Sequence, residues 1–302
     1  MSNADSASRT LAGIGWMVLT TLLFVCVTGI VRYLGSDIPA TQAAFLRYLI
    51  GCFLVLPALM PLFKRKLDSL PWGLFAARGL VHGIAVWLWF YAMARVPIAE
   101  VTAIGYTAPI FVTIGAWLFL GETLHARRIA AVVIGLLGVL IILRPGFETV
   151  QIGALAQLLA APLFACSFLL AKRLTKLERP STIVALLSVF CTLALLPGAL
   201  AEWRDPTWEE VAWLGLTAVF ATAGHYTLTR AFEAAPLTVT QPLGFLQLIW
   251  ATILGIVAFG EPLDPWVILG GGIVVAAVTF ISHREMLAAK RARTPVGLET
   301  KV

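Results

Sequence analysis

Arg78 and His82 stand four residues apart in an otherwise apolar stretch, and Trp89 follows eleven residues after Arg78. At helical spacing the three share one face, with Trp89 about 20° around from Arg78. A cation, a titratable imidazole and an aromatic platform on one stripe can neutralise an anionic group and stack against an aromatic one. Thr102, Tyr106 and Thr113 form a second stripe, and later residues Gln241, Phe245 and Thr252 repeat its spacing. Thr222, His225, Tyr226 and Thr229 form a third. An ionisable side chain at membrane depth costs about 2.5–3.5 kcal/mol on insertion scales, so such groups need a partner or a cavity. The expected lining of one central cavity is therefore Arg78, His82, Trp89, Tyr106, His225, Tyr226 and Gln241. Plainer roles compete with this one. Arg78 can snorkel to an interface, and His82 and the hydroxyls can bond neighbouring helices for about 0.6–2 kcal/mol each.

The same survey excludes other chemistry. The chain carries no HExxH, no GxSxG, no P-loop and no metal-ligand spacing, so neither an enzyme nor an ATP-driven pump is expected. No cofactor, metal or catalytic residue is expected. The four cysteines sit singly inside apolar runs and read as small buried hydrophobes. Glu100, three residues after Pro97, reads first as ordinary helix N-terminal chemistry and second as a proton-coupling group. Arg47 beside Tyr48 is a second cation inside an apolar run, open to a structural or a ligand role.

The elements that must position these groups follow from composition. The 302 residues are 60% hydrophobic and 13% charged, with a net charge of +6. Soluble domains are about 45–50% apolar and about 25% charged. The chain is therefore expected to dissolve in lipid, and its basic excess to orient it in a bilayer rather than bind nucleic acid. Breaks at charge clusters and Pro/Gly turns give ten spans, near 11–33, 40–63, 72–94, 98–120, 127–143, 151–174, 181–201, 209–232, 237–259 and 265–282. Sixteen Lys and Arg fall on one side, with both termini, against four on the other. That asymmetry places both termini in the cytoplasm and the protein in the inner (cell) membrane.

The chain also repeats itself. Residues 92–124 align without a gap on 231–263, with nine of 33 positions identical, including Pro97/Pro236, Gly121/Gly260 and Glu122/Glu261. Upstream, Gly13, Phe24, Cys26 and Pro57 match Gly153, Phe164, Cys166 and Pro197. Five spans per copy is an odd number, so the second copy crosses in the opposite sense. The expected fold is an all-α membrane protein of ten transmembrane helices, built as two five-helix inverted-topology repeats over 11–144 and 151–283. Residues 284–302 form a cytoplasmic basic tail. Repeat symmetry pairs Tyr226 with Trp87 rather than with His82, so not every polar stripe need face the centre. Gly135, Gly138, Gly270, Gly271 and Gly272 are expected to pack spans five and ten closely, away from the cavity.

Ala92-x4-Pro97 with Gly121-Glu122, repeated as Ala231-x4-Pro236 with Gly260-Glu261, resembles the drug/metabolite transporter superfamily in its ten-span EamA-type branch. Phe45-Leu46-Arg47 and Arg78-Gly79 add to the likeness, the latter resembling the branch with S-adenosylmethionine uptake carriers. The resemblance implies alternating access between two bundles, and a loop-fixing role for Glu122 and Glu261. Function is then a secondary transporter of a small organic metabolite, amino-acid-like or similarly amphipathic. The alternative is a non-transporting signalling or assembly protein. The expected partners are that substrate and the lipid bilayer, with no nucleic acid; the reading also allows a homodimer.

Overall fold

The computed structural model describes residues 3–60, 70–108, 110–111, 114–115, 126–144, 150–174, 177–234 and 243–293. The described elements are all helices: α1 (Asn3–Leu34), α2 (Ala40–Leu54), α3 (Leu56–Leu59), α4 (Trp72–Met93), α5 (Ile98–Gly105), α6 (Ala126–Leu143), α7 (Ile152–Leu174), α8 (Pro180–Ala201), α9 (Trp208–Ala234), α10 (Leu246–Phe259) and α11 (Pro265–Arg293). α2 and α3 make one span, interrupted at Val55. Pro57 lacks the N–H that would bond the Phe53 carbonyl, and its ring crowds that carbonyl. Segments within α1, α4, α7 and α8 are long and apolar enough to cross a membrane, and shorter apolar stretches lie in α2, α6, α10 and α11.

Local chemistry sets the helix ends. Pro39 and Pro97 precede α2 and α5, where a missing N–H leaves nothing unsatisfied. Thr207 and Glu210 form a reciprocal capping box at the start of α9. The Thr207 N–H donates to Glu210 at 2.8 Å, and the Glu210 N–H donates back to the Thr207 hydroxyl at 3.2 Å. α10 ends on Gly260 at φ 63°, which lets the Glu261 N–H fold back onto the Gly255 carbonyl at 3.0 Å.

The packing is that of an inverted repeat. α1 packs on α9 and its equivalent α7 packs on α4, while α2 packs on α8 and α6 on α11. The last two pairs run antiparallel. Gly51 lies beside Ser188, and Thr41 beside Gly198. Likewise Gly135 approaches Ala277, whereas Gly138 approaches Gly270. Equivalent helices meeting head to tail is what opposite crossing requires.

Glycines make the close crossings. A Cβ on Gly138 would stand 2.8 Å from the Gly270 carbonyl oxygen. A Cβ on Gly79 would overlap Phe190, and on Gly83 would touch Ala194 at 3.4 Å, so this GxxxG seats α4 against α8. Gly272 departs from expectation: a Cβ there meets nothing within 4 Å. Gly270 and Gly271 face α6 and α5, and the next helical position points into open space.

Candidate functional site

Glycine-mediated contact of α4 with α8 draws Arg78 and His82 into the interior, where they are 8% and 4% exposed. Arg78 donates to the Ile183 carbonyl at 3.5 Å, and its buried Nε has no hydrogen-bond partner. His82 Nδ1 lies 3.0 Å from the Ser167 hydroxyl of α7. Its ring stands edge-on to Phe164 at 5.3 Å, to Tyr48 at 6.3 Å and to His225 at 6.3 Å. From α2, Arg47 is also buried and lies over the Tyr48 ring at 4.0 Å, while the Tyr48 hydroxyl has no hydrogen-bond partner. Arg47 and Arg78 both act electrostatically on the two histidines.

The repeat builds a matching arrangement on the other side. Gly224 lets Phe24 of α1 close on α9, and the Phe24 ring meets His225 edge-on at 5.3 Å. Phe24 and Phe164 are repeat equivalents, so each aromatic holds one histidine on the partner helix. The result is a cluster of two guanidiniums, two imidazoles, a phenol and a serine. Among the described residues no carboxylate touches it. A space of about 10 Å³ adjoins its Arg47, Tyr48 and His225 side, lined also by Ser188 and Thr222. That is about one water.

The remaining expected lining residues go elsewhere. Trp89 is half-buried and packs its ring on Phe90 at 5.3 Å. Tyr106 bonds the Gly244 carbonyl at 2.7 Å and meets Phe245, its repeat equivalent, at 4.9 Å, joining the two repeats away from the cationic cluster. Tyr226 is 57% exposed, and its repeat equivalent Trp87 is 39% exposed, so neither joins the buried cluster. His225 and Tyr226 are one residue apart and therefore about 100° apart on the helix. Gln241, like Thr113 and Glu122, lies outside the described residues. Phe164, Ser167 and Phe24 join the cluster without having been singled out as binding groups, and Arg47 with Tyr48, left between a structural and a ligand role, joins it as well. The Phe24/Phe164 repeat pair and the cation at Arg47 were the available signals.

A second space lies between α10 and α11. It has a volume of about 970 Å³ and runs from the end carrying Glu261 and Asp264 down to Phe245. At that end Glu261 ties three helices, bridging Arg32 at 2.9 Å and accepting from the Ile98 N–H at 2.9 Å. This is the loop-fixing geometry expected of the Gly-Glu pair. Arg144 bridges Asp264 at 2.7 Å beside it.

Comparison with known proteins agrees with this architecture. The chain is 32% identical to a riboflavin transporter of Rhizobium johnstonii, covering 97% of each sequence. It is 26% identical to an S-adenosylmethionine uptake transporter of Rickettsia bellii, over 95% of this chain and 99% of that one. One solved crystal structure superposes with a TM-score of 0.57 at 18% identity, over 95% of this chain and 99% of that chain, which supports the fold. The sequence profile of the EamA-like transporter family matches residues 11–144 and 151–283. The chain is therefore a multi-pass membrane protein of the EamA-like transporter family, within the drug/metabolite transporter superfamily, and a carrier of small molecules rather than an enzyme.

Proposed function

We propose that the protein is a secondary transporter that moves an amphipathic organic metabolite across the cytoplasmic membrane by alternating access, with both termini in the cytoplasm. The metabolite carries a planar aromatic part and acceptor oxygens, as riboflavin does. The observation that carries this reading is the buried cluster of Arg47, Arg78, His82 and His225, walled by aromatic edges and touched by no described carboxylate. Two buried guanidiniums that meet no carboxylate among the described residues are expensive to keep. The unpartnered Arg78 Nε suits a ligand bringing carbonyl or carboxylate oxygens, and the rings of Phe164 and Phe24 suit its flat apolar part. A sulfonium cation would meet like charge there, so the flavin-type cargo of the Rhizobium relative fits better than that of the Rickettsia relative. Amino-acid-like anions with an aromatic side chain fit on the same grounds.

Alternating access is supported by the fold, since equivalent helices cross the axis antiparallel and can exchange their packing. The cluster, with room for about one water, then represents a closed form of the site. The two repeats, 11–144 and 151–283, form the two moving halves, and 284–302 the basic tail. Orientation rests on the sixteen-to-four distribution of Lys and Arg. The test is counterflow of labelled riboflavin in proteoliposomes, with unlabelled flavins, aromatic amino acids and S-adenosylmethionine as competitors. Competition by flavins or aromatic anions and not by the sulfonium is the expected result; the reverse order overturns the charge argument. A reporter fused after Ile281 that is active only outside the cytoplasm overturns the topology.

A further inference from the structure

We infer that the seam between α10 and α11 is a binding site for one phospholipid, with phosphatidylethanolamine as its preferred occupant. Among the described residues the seam is open because its walls pack mainly elsewhere: α11 rests on α6 and α5, and α10 on α1 and α5. The resulting space of about 970 Å³ is at the upper end of ligand cavities, about 300–1,000 Å³. Its walls are aliphatic. Ile249, Ile253 and Ile268 line it while 52%, 48% and 53% exposed on the outside of the bundle, where a membrane protein meets acyl chains. From Phe245 to Ile256 the lining follows α10 for about 16 Å at 1.5 Å per residue. That is close to one leaflet of a hydrocarbon core about 30 Å thick. The length and the opening together fit an acyl chain entering from the bilayer.

The mouth selects the headgroup. Arg144, Gln151, Glu261, Asp264 and Glu100 all line it, and Glu261 is already taken up by Arg32 and the Ile98 N–H. The Arg144 and Asp264 side chains bridge each other yet keep 22% and 30% of their surface exposed, so both can also meet a headgroup. A phosphate there meets the guanidinium and the exposed Gln151 amide, and an adjoining ammonium meets the two carboxylates. With Glu261 paired to Arg32, the remaining described charges of the lining, one cation and two acids, match a zwitterion whose cationic end donates hydrogen bonds. They match phosphatidylglycerol poorly, having no use for a second anionic or hydroxylated end. The site is separate from the cationic cluster, so this inference stands whatever the transported metabolite is.

Gly272 supplies the test, because it lines the seam and a side chain there strikes nothing within 4 Å. Full-length protein in equimolar phosphatidylethanolamine and phosphatidylglycerol would be analysed by native mass spectrometry. One retained phosphatidylethanolamine per chain is expected, favoured over phosphatidylglycerol by about tenfold. Gly272→Trp should lower that adduct by about tenfold without changing the elution profile. The double variant Glu100→Gln, Asp264→Asn should keep a lipid but bring the two headgroups to parity. Gly272→Leu and a photoreactive side chain at Ile253, crosslinking to lipid, provide the same readout should Gly272→Trp fold poorly. Equal retention of both lipids by the unaltered protein overturns the headgroup assignment. Full retention by the filled variants, or no lipid crosslinked at Ile253, overturns the site.

Discussion

The cationic cluster and the α10–α11 seam are opposite answers to the same problem. The cluster has four basic side chains and room for about one water, whereas the seam has about 970 Å³ and aliphatic walls. Space is therefore a poor guide to where this transporter spends specificity. On the inference drawn above, an open groove at lipid depth is filled by the solvent around it, which is acyl chain. On the proposed reading a collapsed group of buried donors carries the recognition, because an unanswered donor such as Arg78 Nε is what a ligand relieves.

The largest effect expected is on the cluster. Arg78→Gln and Arg47→Gln each remove a buried charge that no described carboxylate balances. Removing one such contact to an anionic or acceptor-rich ligand costs about 2–5 kcal/mol, so substrate affinity should fall by about 100-fold or more. Uptake into proteoliposomes at matched protein density measures it. If both variants transport normally while Gly272→Leu does not, the roles of the two regions are exchanged.

The next effect separates close packing from open space. Gly79→Ala places a methyl group on Phe190 and should destabilise the protein by about 1–3 kcal/mol, read as reduced folded yield. Gly272→Ala, with nothing within 4 Å, should be neutral or slightly stabilising, as expected for a helical glycine. Equal losses at both positions would mean that the seam is packed in the membrane. Smaller again is Glu261→Gln, which keeps an acceptor for the Ile98 N–H but removes the ion pair with Arg32. Because that pair is partly buried, a decrease of about 1 kcal/mol is expected, visible as a lower melting temperature. A temperature unaffected by the variant would leave the ion pair without a role in holding that end of the bundle.

Much of this comparison is legible in the residues themselves. The inverted repeat follows from nine identities at one spacing and an odd span count, and head-to-tail packing of α2 on α8 and α6 on α11 matches it. Arg78 and His82 were readable because an ionisable group in an apolar run must find an interior. Arg47 was readable only as a choice between two roles, since its repeat partner region carries Ser188 instead of a charge. Helical spacing alone did not separate Tyr226 from His225: a stripe at i, i+3, i+4 and i+7 is wide, and only His225 of the two joins the buried cluster. The seam was not legible at all. An opening between two helices is a packing that does not occur, and Ile249, Ile253 and Ile268 look the same whether they face a helix or a lipid.

Tyr226 supplies the smallest and most discriminating prediction. It sits next to His225 in the chain, so a purely sequential view of the site makes the two equally important. The fold separates them, holding His225 against Phe24 and His82 at ring distances of 5.3 and 6.3 Å and leaving Tyr226 57% exposed. Tyr226→Leu replaces one apolar surface by another facing the bilayer, and exposed substitutions of this kind change stability by about 0.5 kcal/mol or less. Uptake should stay within about twofold of the unaltered protein. His225→Leu, one position earlier, removes a group from the cluster and should weaken uptake clearly more. If Tyr226→Leu abolishes transport while His225→Leu is tolerated, the working cavity lies on the outward face of α9, and the cationic cluster is a structural core.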